Sequence, residues 1–517
     1  MSDDEGILPK ESINFIPCLK FVKRGIPKSI PEKVKLDPED LAKIISNTRK
    51  ALSDQGVEAD ASEDEDSEEN PPPEAPLNPI SDDIAKEYDM DNYDDEDTKE
   101  GDPTLGIGDL VLHADPKEDP YLNQEINDED SDAEDYEIKS TDNLILAGHV
   151  EGEAATLEVY VYNDKEGDLY VHHDLILPSL PLTMEWLSYE PGESTKGNLV
   201  AVGYMTPIID VWDLDIVDCL EAAYSLGNKS SKKKKLKRVG HSDAVLSLSW
   251  NHHVEHILAS GSVDQTVLLW DLNKGTIASK ISAHMEKVQS LQWHPFESQS
   301  LATGACDQYV RIFDCRAQDS CKAWKVEGEV EKVLWNHFNP FTLFASTESG
   351  HIQMIDVRKD DAPIWTLHAH SDCINGISLS TQCPDCLVTV SSDKTLKVWD
   401  ILDNKPTCIH ERNMKLGQLH CLDNCPDAPF LMAIGGDKNS DNFKVFDIRE
   451  SSTTLQHFGS RKLVNPLGMS DWGFETANEA EVKEEEMETE AVTEDSSKSS
   501  VPKSGGAIGK FKKKSSE

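Results

Sequence analysis

The chain has 517 residues, a formal net charge of −47 and 28% charged residues, enough for a large repeat domain with extensions or for two to three ordinary domains. The first ten residues, MSDDEGILPK, lack the layout of a secretory signal, and no apolar run approaches the ~18–20 residues a bilayer needs. With 11 irregularly spaced cysteines, these features predict a soluble intracellular protein with reduced thiols, not a secreted disulfide scaffold or a membrane span.

The first packable stretch is 13–22, INFIPCLKFV, which reads as a strand. A short helix is expected over 37–52, with Asp37 as N-cap and Leu41, Ile44, Ile45 and Leu52 on one apolar stripe. It reads as a surface helix on the next domain, with partner binding as the alternative. Between Asp54 and Glu137, 33 acidic residues face three lysines and no arginine. The segment 53–140 therefore reads as a disordered arm, too poor in aliphatics to offset the entropy of ordering. Two islands within it, 84–93 and 105–112, could dock on a partner or on the chain's own body. Acid-directed kinases suit Ser2, Ser62 and Ser131, each followed three residues on by Glu. The arm reads either as a solvating spacer or as a polyanion for basic proteins such as histones or ribosomal proteins.

From 141 to 459 a repeat takes over. Matching strand ends are Tyr162-Asn163, Trp212-Asp213, Trp270-Asp271, Phe313-Asp314, Ile355-Asp356, Trp399-Asp400 and Phe446-Asp447, spaced by 50, 58, 43, 42, 44 and 47 residues. A period near ~40–45 with four short strands per unit marks a β-propeller blade. Trp186, Trp250, Trp293 and Trp335 close alternating apolar runs, as inner strands between blades require. The expected fold is all-β, a seven-bladed WD-repeat propeller, because Gly-His, the turn Asp and Trp-Asp recur in register. Seven blades need one more strand, since 143–177 supplies three; residues 13–22 are proposed to complete blade one, making the arm a loop inside it.

Those recurring residues predict buried polar sets: His241, Ser260, Asp264 and Trp270, and again His370, Thr389, Asp393 and Trp399. His284, Thr303 and Asp307 make a partial set with Phe313 in the Trp position. A His near Ser and Asp also suits a hydrolase triad, but a catalytic set would not repeat. The blade ending at Ile355-Asp356 has Ser349 at the turn and no matching His, and is expected to rely on apolar packing.

The loop 228–239 carries Lys232, Lys233, Lys234, Lys235, Lys237 and Arg238. It reads as a nuclear localisation signal or a phosphate-contacting patch, against a merely solvated loop. The tail 475–517 is acidic, then basic at 510–514, and is expected to be disordered. CxxC spacing at Cys383 and Cys386 lacks a closed ligand set for zinc, so no metal is assigned. Asp314-Arg316, Asp356-Arg358 and Asp447-Arg449 resemble a pattern in WD-repeat receptors of cullin ubiquitin ligases, or serve local turns. No phosphate-cradling loop, HExxH or nucleophile elbow occurs; neither catalytic residues nor a cofactor are assigned.

Longer stretches resemble the periodic tryptophan protein family: CLKFVKRG and PEKVKL near the N-terminus, KEYDMDNYDDE, YVHHDLIL, VGYMTPIIDVWDLDIVD and HPFESQSL. That resemblance implies a nuclear, largely nucleolar scaffold in ribosome biogenesis, linked to pre-rRNA processing and to rDNA chromatin and transcription. Its partners would be pre-ribosomal factors, with nucleic acid contacted at most indirectly, no membrane, and a monomer within larger complexes. A histone-binding chromatin chaperone and a cullin substrate receptor are the alternative expectations.

Overall fold

The computed structural model describes residues 13–33, 137–192, 196–217, 219–228, 238–317, 321–359 and 362–465, with the short strands Leu105–Ile107 and Leu110–Leu112. The expected helix 37–52, most of the acidic arm, Lys232 to Lys237, Ser2, Ser62, Ser131 and the tail 475–517 lie outside the described residues. The chain divides into two units, 1–34 with 137–517, and 35–136. In the latter, the two short strands form an antiparallel hairpin with Gly106 opposite Val111.

Seven antiparallel sheets make up the larger unit, six of four strands and a last one of three among the described residues. Their innermost strands are Asn14–Val22, Pro181–Leu187, Val245–Trp250, Val288–Trp293, Val330–Trp335, Gly376–Leu379 and Leu419–Asn424, each against the next around a closed ring. The first pairs with Asn143–Glu151, Phe21 opposite Ile145 and Val22 opposite Leu144. Because 34–136 separates these partners in sequence, that segment is an insertion inside the first blade. Its base is tied where the Ile138 N–H donates to the Ser29 carbonyl at 2.8 Å. Glu32–Lys33 adds a short parallel pairing with Ile216–Val217.

Both faces of every sheet lie against a neighbour, so central strands are buried along their length rather than in alternation: LVAVGY at Leu199–Tyr204 and TLFAST at Thr342–Thr347 expose no residue. The core accordingly resolves into seven apolar clusters, one per seam between consecutive blades. The seventh, with Ile16, Phe21, Ile145, Cys421 and Leu431, joins the last blade to the first.

Three tight turns repeat one device. Gln265, Gln308 and Lys394 each have φ near 70° (67°, 66° and 71°), a conformation that costs an L-residue ~1–2 kcal/mol. The preceding Asp264, Asp307 and Asp393 offset this by accepting the N–H two residues on.

Two expectations need correction. A fourth strand was expected in every blade, but the last is followed by a 3-10 turn and the helix Ser452–Phe458, whose Thr454 and Phe458 are buried; Phe458 joins the seam between blades six and seven. The blade ending at Ile355-Asp356 does not rely on apolar packing alone. Ser349 Oγ lies 3.0 Å from Thr347 Oγ1 and 3.1 Å from His351 Nδ1, and donates to the Glu327 carbonyl at 3.0 Å.

Candidate interaction surfaces

The polar sets lie at the top of the blades, where the loop into each inner strand meets the turn between the next two. In blade three, Trp270 Nε1–H donates to Ser260 Oγ at 2.8 Å, Ser260 Oγ lies 2.7 Å from His241 Nε2, and His241 Nδ1 lies 3.1 Å from Asp264 Oδ2. Since Trp can only donate and the carboxylate only accept, protons run one way: Trp to Ser, Ser to His, His to Asp. Burial raises the Asp264 carboxyl, but the bonds from His241, Thr266 and the Ser242 N–H outweigh it and hold it far below the usual range. Blade six repeats the set: Trp399 to Thr389 at 3.0 Å, Thr389 to His370 at 2.7 Å and His370 to Asp393 at 2.9 Å.

Blade four runs the opposite way. Phe313 supplies no donor, and Arg311 Nη1 reaches both Asp307 Oδ2 at 2.7 Å and His284 Nδ1 at 2.8 Å. A guanidinium cannot accept, so His284 Nδ1 must, leaving its Nε2–H to donate to Thr303 Oγ1 at 2.9 Å. Burial, then Arg311, pushes His284 down to about 4, consistent with a neutral ring. None of these sets presents a free hydroxyl and base to a substrate. Their histidines and hydroxyl residues are almost fully buried.

The indole of the blade-three set lies beside the residues that flank the lysine-rich segment. Asn228 and Val239 form an isolated bridge, the Asn228 N–H donating to Val239 O at 2.8 Å and the Val239 N–H to Asn228 Oδ1 at 2.8 Å. Beside this neck Gly240 has φ 107°, and a Cβ there would stand 3.1 Å from Trp270 Cη2. Asn228 and Val239, which flank 229–237 in sequence, thus form a two-residue neck beside the indole. Arg238, at its end, is exposed.

In blades one, three, four and five, channel-facing edges of the inner strands are satisfied by side chains from the preceding blade. Ser247 and Ser249 accept the N–H groups of Leu291 and Trp293, Ser290 and Gln292 those of Val333 and Trp335, Glu185 that of Trp250, and Asp423 that of Phe21. Around them is an axial cavity of about 360 Å³. Lys20 pairs with Glu185 at 2.8 Å there. Burial opposes the Lys20 charge, yet the Glu185 and Asp423 carboxylates prevail and raise its pKa. Composition gave no sign of this lining; serines alternating along VLSLSW and VQSLQW were the available signal.

At the opposite, lower face Asp400 accepts from His457 Nε2 at 2.5 Å and from Arg461 at 2.6 and 3.0 Å. Arg461 also donates to the Pro384 carbonyl at 3.1 Å, closing over a CxxC loop whose Cys383 and Cys386 are fully buried. Arg316, Arg358 and Arg449 fold back on the Asp two residues before, and the latter two lie over the rings of Phe341 and Phe430. Among the described residues no group of three or more His, Cys, Asp or Glu could hold a metal, and no helix is long and apolar enough to cross a membrane.

A closed ring of seven blades with repeated His–Ser/Thr–Asp sets defines a WD-repeat β-propeller, and the WD domain, G-beta repeat family matches residues 233–271, 275–314 and 361–400. The chain is 40% identical to the periodic tryptophan protein 1 homolog of Drosophila melanogaster over 87% of its own length and 98% of the relative's. It is 31% identical to periodic tryptophan protein 1 of Saccharomyces cerevisiae over 86% and 90% of the two chains. The chain belongs to the periodic tryptophan protein 1 family. A more distant likeness, 28% over 43% of this chain and 46% of the relative, is to the ribosome biogenesis protein WDR12 homolog of Aedes aegypti.

Proposed function

We propose that the chain is a non-enzymatic scaffold in ribosome biogenesis, working in the nucleus and nucleolus through proteins bound to its propeller and charged segments. The observation that carries this reading is that the His–Ser/Thr–Asp sets are consumed in buried bonds, which leaves the ring without a free catalytic set among the described residues. Family membership and the likeness to a protein named for ribosome biogenesis point the same way. In this reading Lys232, Lys233, Lys234, Lys235, Lys237 and Arg238 direct nuclear import. The acidic segment gathers basic partners, pre-ribosomal proteins first, and phosphorylation at Ser2, Ser62 and Ser131 deepens its charge. The test is sedimentation of the tagged full chain from nuclear extract. Co-migration with pre-ribosomal particles supports the reading; migration with histones alone would favour a chromatin chaperone instead.

A further inference from the structure

The lower mouth of the axial channel holds a second cavity, of about 310 Å³, at the small end of the ~300–1,000 Å³ range of ligand clefts. Its apolar wall is built from Phe21, Ile26, Trp186, Trp250 and Pro426, and Thr381 lines its far side. Thr381 is only 8% exposed, and its Oγ1 is buried with no hydrogen-bond partner. An orphaned buried hydroxyl of this kind is destabilising until a partner reaches it.

The chain's own path ends beside this cavity. The Val464 N–H donates to the Gln382 carbonyl at 2.8 Å, one residue from Thr381. The next residues, 466–474, read PLGMSDWGF. Leu467, Met469, Trp472 and Phe474 are concentrated just ahead of an acidic run beginning at Glu475, a density of large apolar side chains that a solvating tail does not carry. Extended chain advances ~3.3–3.6 Å per residue, so Trp472 is within reach of the opposite wall. Lys23 and Lys196 share the rim: burial lowers the Lys23 ammonium, Asp427 opposes the shift and Lys196 adds to it. Asp471, just before Trp472, has a charge opposite to that of these two lysines on the rim.

We infer that residues 466–474 dock into the cavity at the lower mouth of the channel, with Trp472 against Trp186 and Trp250 and the segment's backbone reaching Thr381 Oγ1. The C-terminal segment is thus a plug continuous with the Arg461 clamp, and a partner using this mouth must displace it.

The test uses the full chain carrying a benzophenone amino acid in place of Trp472, irradiated at high dilution and mapped by peptide mass. The expected product is an intramolecular crosslink to residues 21–26, 186–188, 250–255 or 381–426. Its yield should fall several-fold with excess synthetic PLGMSDWGF peptide, and again in Thr381→Ile, which fills the cavity; the Thr381→Ile melting temperature confirms folding. Crosslinks to another surface, crosslinks between two chains, or a yield no higher than with the probe at Val501 would overturn the inference.

Discussion

Asp423 in the last blade accepts the backbone N–H of Phe21 in the first at 2.7 Å, across 402 positions of sequence. This is one of four seams at which the channel-facing edge of an inner strand is capped by its predecessor. Uncapped strand edges invite foreign pairing, and a buried amide without a partner is costly; side-chain caps solve both problems while leaving the channel polar.

Replacing Asp423 with Leu removes this cap and leaves Lys20 with one fewer carboxylate. A loss of about 1–3 kcal/mol is expected, the cost of an unsatisfied buried donor, read as a lower urea midpoint with unchanged slope. Deleting residues 1–30 removes the inner strand itself and should lower the melting temperature of the whole ring.

In blade three, Trp270→Ala should cost ~3–5 kcal/mol, as expected for a large aromatic removed from a packed core. Trp270→Phe keeps most of the packing but takes one donor from Ser260, and should cost about 1–2 kcal/mol. Thermal unfolding of the two variants separates the packing contribution from the hydrogen bond.

In blade four, Arg311→Leu removes the cation that, after burial, depresses His284, while Asp307 stays near Nδ1 at 3.6 Å. The His284 pKa should rise from about 4, with its Nδ1 turning from acceptor to donor toward Asp307. Nitrogen-detected NMR titration of the imidazole reads both changes.

Stability should fall as pH drops below about 6.5, the unfolded histidine value. Burial first, then neighbouring charge where it adds, pushes His173 and His284 down to about 4, and burial does the same to His337. A histidine depressed by folding contributes stability above its unfolded pKa that is lost as pH falls toward the folded one. His149 has the opposite sign: its bond to Glu158, 2.7 Å away, raises its pKa against burial, so its contribution is complete below 6.5 and lost as pH rises through the folded value. His149→Gln should therefore lower the melting temperature by a constant amount below pH 6.5 and by less above the folded value, leaving the slope of the decline between pH 6.5 and 4 unchanged.

Gly240→Ala places a Cβ 3.1 Å from Trp270 Cη2 and from Gly227 Cα, at φ 107°. It should cost more than Gly275→Ala, where φ is 62° and the space is open, and in that second case only the left-handed penalty of ~1–2 kcal/mol applies. Comparative chemical denaturation distinguishes contact from strain.

The fold was legible because each blade must bury two faces within a fixed length of chain, which imposes the period near 43 residues. The polar sets were legible as well: His to turn Asp is 23 residues in all three cases, from His241 to Asp264, His284 to Asp307 and His370 to Asp393. The reversed direction in blade four was readable only in part. Phe313 showed that a donor was missing, but Arg311 stands where Leu268 and Lys397 do, on a strand where a cation looks like ordinary surface. The channel caps were hidden for a related reason, since Ser247, Ser249 and Ser290 alternate as solvent-facing residues would. Of the Asp400–Arg461 pair only Asp400 lies within the repeat; Arg461 stands beyond its last recognisable unit, where periodicity stops carrying information.

The central claim, a scaffold in ribosome production whose repeated His–Ser/Thr–Asp sets are structural, is tested most directly by pulse-labelled pre-rRNA in depleted cells re-expressing either the unaltered chain or His241→Gln at matched folded abundance. The account predicts impaired pre-rRNA production or maturation on depletion and equal rescue by both chains. Unaltered rRNA after depletion, or a folded His241→Gln chain that fails to rescue, would contradict it.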